Sequence, residues 1–523
     1  MTFRQAGCAV ILASGFGVLA SLYGTAAAQL IDRTLAPNVL NEGIAKSLGE
    51  EIGAGRGDVV TPGSSAYLIA RDPFRAIRRG RQLFQRKFTR AQGQGPLAGD
   101  GAGDVSSLPA IGAGLVDSCA ECHGRPRGSA GSGGNVVTRP DSRDAPHLFG
   151  AGLKEMLAHE ITTDLRAIRA HALAQARARR PVTRRLTSKG IDYGTITANP
   201  DGTVDTSQVA GVDPDLRVRP FFAHGGQFSL RGFAVGAWND EMGLRAGDPD
   251  LQAACPPPGG AGGRVVTPAG LVLDGSTDTV NCPPAGKTEI DPALVDYLEF
   301  YLLNYFRPAT YETTEASEGG RRLFREIGCA RCHIPNLEVR QDRRVADVST
   351  TFDRDRGIFN GLFATATPLH RTVDDGHGLP ALKPPLLRPF VVRGIYTDLK
   401  RHDLGPSFHE RNYDGTVRTE FMTAPLWGVG TTAPYGHDGR SINLSEVILR
   451  HGGEAQADRD AFAGLLPPFR EAVVAFLNTL ILFPPDDTAS NLNPGNPSLP
   501  GFPQVGHGSI ALTGLFDDPS DPE

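Results

Sequence analysis

The pentapeptide Cys-x-x-Cys-His occurs twice, as Cys119-Ala-Glu-Cys122-His123 and as Cys329-Ala-Arg-Cys332-His333, and no other feature restricts the chain as much. Two thiols so spaced can add to the vinyl groups of a haem while the adjacent histidine reaches its iron. Two other readings use the same cysteines: a four-cysteine zinc site drawn from both pairs, or a thioredoxin-like redox pair. Neither explains a histidine directly after each pair. The expectation is two covalently bound haem c groups, one on Cys119, Cys122 and His123, the other on Cys329, Cys332 and His333.

Such attachment fits an exported chain, and the N-terminus has the pattern of an export signal. Arg4 supplies a positive start, residues 7–22 form a short apolar run, and Ala26-Ala27-Ala28 offers a cleavage site, placed after Ala28. The alternative, a membrane anchor, is disfavoured because the run is shorter than the roughly 20 residues that cross a bilayer. The signal implies a periplasmic protein with no membrane span after cleavage. Cys8 leaves with the signal, and Cys255 and Cys282 then remain outside the motifs, each followed by Pro-Pro. A structural disulfide between them suits an oxidising compartment and would contribute ~3–4 kcal/mol on the chain-entropy account, two free thiols being the alternative.

The motifs lie 210 residues apart and other features recur with them. Gly80-Arg-Gln-Leu-Phe84 precedes the first and Gly320-Arg-Arg-Leu-Phe324 the second. His224-Gly-Gly-Gln227 and His437-Asp-Gly-Arg440 follow at similar offsets, each ahead of a helix-like segment. Leu294, Tyr297, Leu298, Tyr301 and Leu302 carry helical spacing late in the first half, as Val473, Phe476, Leu477 and Leu480 do in the second. A haem-bearing loop between an early and a late helix is how a cytochrome c domain is built. The expected fold is therefore mainly α: two cytochrome c-type domains packed together, with long irregular loops and little sheet. The divisions are a signal peptide at 1–28, an N-terminal domain at 29–310, a C-terminal domain at 311–486 and a tail at 487–523. A glycine-rich insertion, around 91–114, lengthens the first copy. With 64 glycines, 40 prolines and a net charge of −5, no charge run suggests nucleic acid as a partner.

The ligand opposite the proximal histidine decides whether a haem carries electrons or meets a small oxidant. Only Met156, Met242 and Met422 follow Met1, which favours histidine. His451 ends an expected helix, followed by Gly452-Gly453, where a histidine can equally be a helix-capping residue.

Gly320–His333, His402-Asp-Leu-Gly-Pro406, Thr423–Arg440 and Leu444–Glu454 resemble the bacterial dihaem cytochrome c peroxidases, closest to the branch called dihaem oxidoreductases or putative peroxidases. Ala145–Gly152 and Trp238–Leu244 resemble them in the first half, and the likeness spans roughly 75–485. It implies that His451 is the second axial ligand of the C-terminal, electron-relaying haem. It also implies that Glu241 is the distal acid over the N-terminal, peroxidatic haem, where a carboxylate can pass a proton between the oxygens of peroxide; the alternative is an exposed acid beside Asp240. His224 or Trp238 would stand between the haems.

Two departures matter. Residues 124–134 lack the histidine that some relatives bind reversibly to the N-terminal iron, although His147 could reach it from elsewhere. Gly150 stands where relatives offer an asparagine to an inter-haem calcium, which weighs against calcium even though Thr432 and Pro434 retain carbonyls for it. The implied activity is reduction of hydrogen peroxide, or another small oxidant, with electrons from a small periplasmic electron-transfer protein. A plain electron carrier, and an oxygenase or protein-oxidising enzyme with the 91–114 insertion lining its entrance, are the alternatives.

Overall fold

Asp72 ends one short helix, Ser65–Arg71, and caps the next, Pro73–Gln85, by accepting a hydrogen bond from the Arg75 amide at 3.1 Å. This computed structural model describes residues 48–86, 88, 118–123, 144–177, 180–255, 262–275, 288–305, 313–352, 362–369, 372–374, 380–382, 389–412, 414–481 and 508–511. The signal segment and the 91–114 insertion lie outside the described residues. So does Cys282; Cys255 itself is disulfide-bonded. Among the described residues, no helix is long and apolar enough to cross a membrane.

The two Gly-Arg-x-Leu-Phe segments lie in matching places. Gly80 is on helix Pro73–Gln85, which packs across helix Pro292–Asn304, and Gly320 is on helix Glu315–Glu326, which packs across helix Pro467–Leu477. Each glycine touches the partner helix backbone, at Tyr297 and at Ala472, where a methyl group would collide with a carbonyl. The segments after His224 and His437 are also helical, Leu230–Asp240 and Leu444–Arg450, capped by Ser229 and Asn443.

The expectation of a mainly α fold with little sheet is overturned. The described residues are 42% helix and 16% strand, a mixed architecture with several small sheets. The clearest is the hairpin Val182–Ser188 and Ile191–Ala198, extended by Val204–Asp205. Its two-residue turn is Lys189-Gly190, with φ of 51° and 80°, the paired positive values that let a tight turn match the twist of its strands. Leu186, Ser188, Ile191, Tyr193, Ile196 and Ala198 are buried, and the hairpin packs on helix Ala151–Ala176. A search for helical periodicity passes over such strands because their repeat is two residues. The tail also contributes: Gly508–Ala511 pairs in parallel with Leu362–Pro368, which pairs antiparallel with Ala346–Phe352.

The apolar core has two parts. The larger joins most of the first half to Leu337, Val339, Val392, Ile395, Leu399 and Trp427 of the second. The smaller contains Phe324, Tyr396, Leu444, Phe462, Val473, Phe476, Leu477 and Leu480, with Cys329 packed against it. Polar contacts tie the halves together. Tyr193 donates to the Asp398 carbonyl at 3.2 Å, the Met422 amide to the Ala223 carbonyl at 2.7 Å, and the Val345 amide to Asn304 at 2.7 Å.

Candidate haem centres

Cys119–His123 forms a single helical turn packed near helix Pro73–Gln85. The turn sets both cysteines and His123 on neighbouring positions, and the His123 Nδ1 lies 2.6 Å from the Pro146 carbonyl oxygen. In the second motif Cys329–Arg331 is a 3₁₀ turn entered through Gly328, and the His333 Nδ1 lies 3.1 Å from the Tyr396 carbonyl. Each carbonyl fixes the proton on Nδ1 and leaves Nε2 as the ligating nitrogen, the usual orientation of a metal-bound imidazole. Burial lowers the pKa of both rings, to about 4 for His333, so each is neutral at physiological pH.

The donor sets fit haem c better than zinc or a redox pair. Burial pushes the Cys119 and Cys329 thiols up to about 12, away from the thiolate that either alternative needs. Cys119 and Cys122 pack against the larger core and Cys329 against the smaller, and no three of the four cysteines gather among the described residues. Trp238 is 1% exposed, and its indole N–H has no hydrogen-bond partner among the described residues, as expected beside a pocket lined for a prosthetic group.

His451 sits close enough to His333 to lower its pKa. It is the C-cap of helix Leu444–Arg450, and its Nδ1 lies 2.8 Å from the Val447 carbonyl. The capping contact uses Nδ1, which leaves Nε2 for a ligand. Phe408 packs edge-on against the ring at 5.4 Å.

Around His123 the composition differs. Glu241 is the C-cap of helix Leu230–Asp240 and lies near enough to raise the pKa of His123 against the larger effect of burial. That helix is held by Arg231, fully buried and paired with Asp248 at 2.7 Å, Asp296 at 2.6 Å and Glu299 at 2.9 Å. The sequence signal for this network was two acids, Asp296 and Glu299, inside an otherwise apolar helix. Phe233 packs edge-on to His123 at 6.1 Å, and Phe222 joins Phe233 to His224, on which it stacks at 5.8 Å. Lys154 extends over the Phe221 ring, and burial lowers its pKa to about 8.

Trp238 packs with Phe88 at 6.3 Å inside the larger core, and His224 stacks on Phe222. An aromatic side chain that joins the halves, besides Tyr193, is Trp427, the second of the chain's two tryptophans. Its ring covers Gly150, where a Cβ would stand 2.6 Å from Cη2; Gly150 itself has φ of 71°. Asparagine tolerates such a φ, but the Trp427 ring leaves no room for its side chain. The Trp427 carbonyl lies 3.0 Å from the His147 Nε2. His147 thus has its Nε2 engaged by the other half of the chain.

His402, in the His-Asp-Leu-Gly segment, lies 2.8 Å from both Asp398 and Glu454 and comes close to Cys332. Burial opposes its charge, but the bond to Asp398, then Cys332, raises its pKa to about 11. With Cys332 alkylated as a thioether, the carboxylates remain to hold the imidazolium. A charged ring is no metal ligand; it ties the strand Arg401–Asp403 to the 3₁₀ turn at Glu454.

Residues 364–480 match the family described as di-haem oxidoreductase, putative peroxidase. Over these residues the chain is similar to the dihaem oxidoreductases, as the sequence suggested, and the match contains His402, Trp427 and His451. No curated protein matches the chain. Among solved structures, hydrazine synthase of Kuenenia stuttgartiensis, pressurised with 20 bar xenon, aligns at 15% identity over 36% of this chain and 56% of its own, with a TM-score of 0.22. This chain thus spans little more than half of that protein. A MauG-like protein associated with microbial copper homeostasis aligns at 13% identity over 63% of this chain and 87% of its own, with a TM-score of 0.21. At these scores neither likeness bears on the architecture or the chemistry.

Proposed function

We propose that this chain is a periplasmic dihaem c oxidoreductase that reduces hydrogen peroxide at the N-terminal centre, with electrons relayed through the C-terminal one. Haem held at the two motifs would supply an accessible iron for O–O bond reduction and a second, closed centre through which electrons arrive. The single observation that carries the reading is the difference between the two histidine surroundings. His333 has His451 nearby with its Nδ1 already bonded, whereas His123 has a carboxylate, Glu241, near it.

Reduction of peroxide to two waters consumes two electrons and two protons. Glu241 would take a proton from one peroxide oxygen and return it to the other, the leaving oxygen, as the bond breaks. The Arg231 network would fix the helix that carries Glu241. A small periplasmic electron-transfer protein would supply the electrons near His451. The Trp427 bond uses Nε2 of His147 and leaves its buried Nδ1 without a hydrogen-bond partner among the described residues, so a carrier in which that nitrogen closes the N-terminal iron is the second reading.

EPR of the oxidised protein, before and after hydrogen peroxide, tests this. The expected result is one high-spin and one low-spin haem, with the high-spin signal consumed by peroxide. Two low-spin haems indifferent to peroxide, in both the oxidised and half-reduced states, would sink the proposal and leave an electron carrier.

A further inference from the structure

The two proximal histidines are joined by a continuous run of hydrogen bonds and short backbone steps. His123 donates from Nδ1 to the Pro146 carbonyl at 2.6 Å, and the next residue, His147, donates from Nε2 to the Trp427 carbonyl at 3.0 Å. The residue before Trp427, Leu426, donates its amide to the Ile395 carbonyl at 3.0 Å. Ile395 precedes Tyr396, whose carbonyl accepts the Nδ1 bond of His333 at 3.1 Å. Side bonds stiffen the second-half portion: the Ile395 amide to Pro335 at 3.0 Å, the Thr397 amide to Ile334 at 3.1 Å, and the Thr397 hydroxyl to the Thr423 carbonyl at 2.6 Å. Trp427 is gripped by the first half at two points, its carbonyl by His147 and its ring by Gly150.

Every joint in this run but one is backbone to backbone or proximal histidine to backbone. The exception is His147, whose side chain makes the hydrogen bond by which this run passes from the first half to the second, beside the Trp427 ring on Gly150 and the Asp144 amide on the His437 carbonyl. Ile395, Leu399 and Trp427 belong to the buried core, so the second-half segment cannot shift without disturbing close-packed neighbours.

We propose that His147 is a positioning residue that couples the two haem centres: it sets the Pro146 carbonyl against His123 and takes its own position from the Trp427 segment, which also positions His333. The inference rests on the two-haem reading above and adds to it a physical route between the centres. A strong hydrogen bond at Nδ1 makes a ligating imidazole a better electron donor to its metal. Because the segment is close-packed, a change in the bond that the Tyr396 carbonyl accepts from His333, when the C-terminal centre changes oxidation state, is carried along it and alters the bond on His123 through His147.

The test uses the full-length holoprotein as its parent, with His147→Leu, which removes the donor, and His147→Gln, which keeps an N–H at similar reach. Pyridine haemochrome assay first counts the haems; fewer than two in the parent overturns the two-haem reading and this inference with it. Resonance Raman of the reduced protein then reads the iron–histidine stretch of the N-terminal haem, and spectroelectrochemical titration reads both potentials. His147→Leu is expected to lower the stretching frequency, to raise the N-terminal potential, and to abolish any change in the N-terminal spectrum when the C-terminal haem alone is reduced. His147→Gln should lie closer to the parent. Should His147→Leu fail to load haem, His147→Phe retains the ring without the donor and is judged by the same readouts. A donor-less variant with both haems attached, and with parental frequency, potentials and response, overturns the coupling while leaving the two-haem reading intact.

Discussion

Gly320 lies directly against the backbone carbonyl of Ala472, at the crossing of helices Glu315–Glu326 and Pro467–Leu477, and Gly80 meets Tyr297 in the same way in the first half. A methyl group at either site has no room, so the helices must separate or the backbone must move. Gly320→Ala is expected to destabilise the protein by about 1–3 kcal/mol, the usual range for overpacking a tight core. A urea titration of the purified variant measures this; an unchanged midpoint would mean that the crossing relaxes freely.

Arg231 is buried among Asp248, Asp296 and Glu299, and Ser65 adds a further bond to Asp296 at 2.5 Å. Arg231→Leu keeps some of the volume but removes the cation shared by the three acids, leaving Arg56 beside Asp296 alone of the three. The expected loss is about 3–5 kcal/mol, typical of breaking a buried pair from one side. Chemical denaturation should show it, with partial recovery in a double variant that also carries Glu299→Gln. Absence of recovery would mean that the loss comes from packing alone.

Asp144 gives a pH signature. Burial, with Asp438 beside it, raises its pKa from 3.8 to about 7. The folded state therefore holds a proton that the unfolded state has already released across that interval. Its contribution to stability is fully present below about pH 3.8 and lost as pH rises through about 7. Asp144→Asn removes this loss, so the variant should gain stability relative to the parent between pH 4 and 7 and hold a constant difference above it. Urea midpoints across that range decide it; a difference independent of pH would contradict the assignment.

His451 gives the most direct reading of the second centre. Its Nδ1 caps its own helix through Val447, so His451→Ala removes a terminal contact as well as the opposing nitrogen. The cap costs about 1 kcal/mol, whereas loss of the ligand changes the spin state. The C-terminal haem should turn from low-spin to high-spin in EPR while the chain stays folded by circular dichroism. A low-spin signal that survives the substitution would show that another residue closes the iron.

Much of the arrangement was legible because it rests on local chemistry. Attachment to haem needs two thiols and a histidine within five consecutive residues, and that adjacency can be read without a fold. The helix crossings were legible from two Gly-Arg-x-Leu-Phe segments and the apolar stripes that meet them. The hairpin at 182–198 was not seen because its alternation competes with a search for helices, and only the turn Lys189-Gly190 announces it. The contact of Trp427 with Gly150 was not seen, since closeness across 277 residues (427 less 150) depends on packing, not on spacing.

The sequence by itself determined where the two Cys-x-x-Cys-His motifs lie, which segments repeat and which histidine ends the helix after the second motif. Only the tertiary structure decided which nitrogen each histidine has free, where the buried acids find their cation and what joins one proximal histidine to the other. Covalent chemistry is written in neighbouring residues, whereas hydrogen bonds to carbonyls and contacts between rings are made by parts of the chain that meet only when it folds.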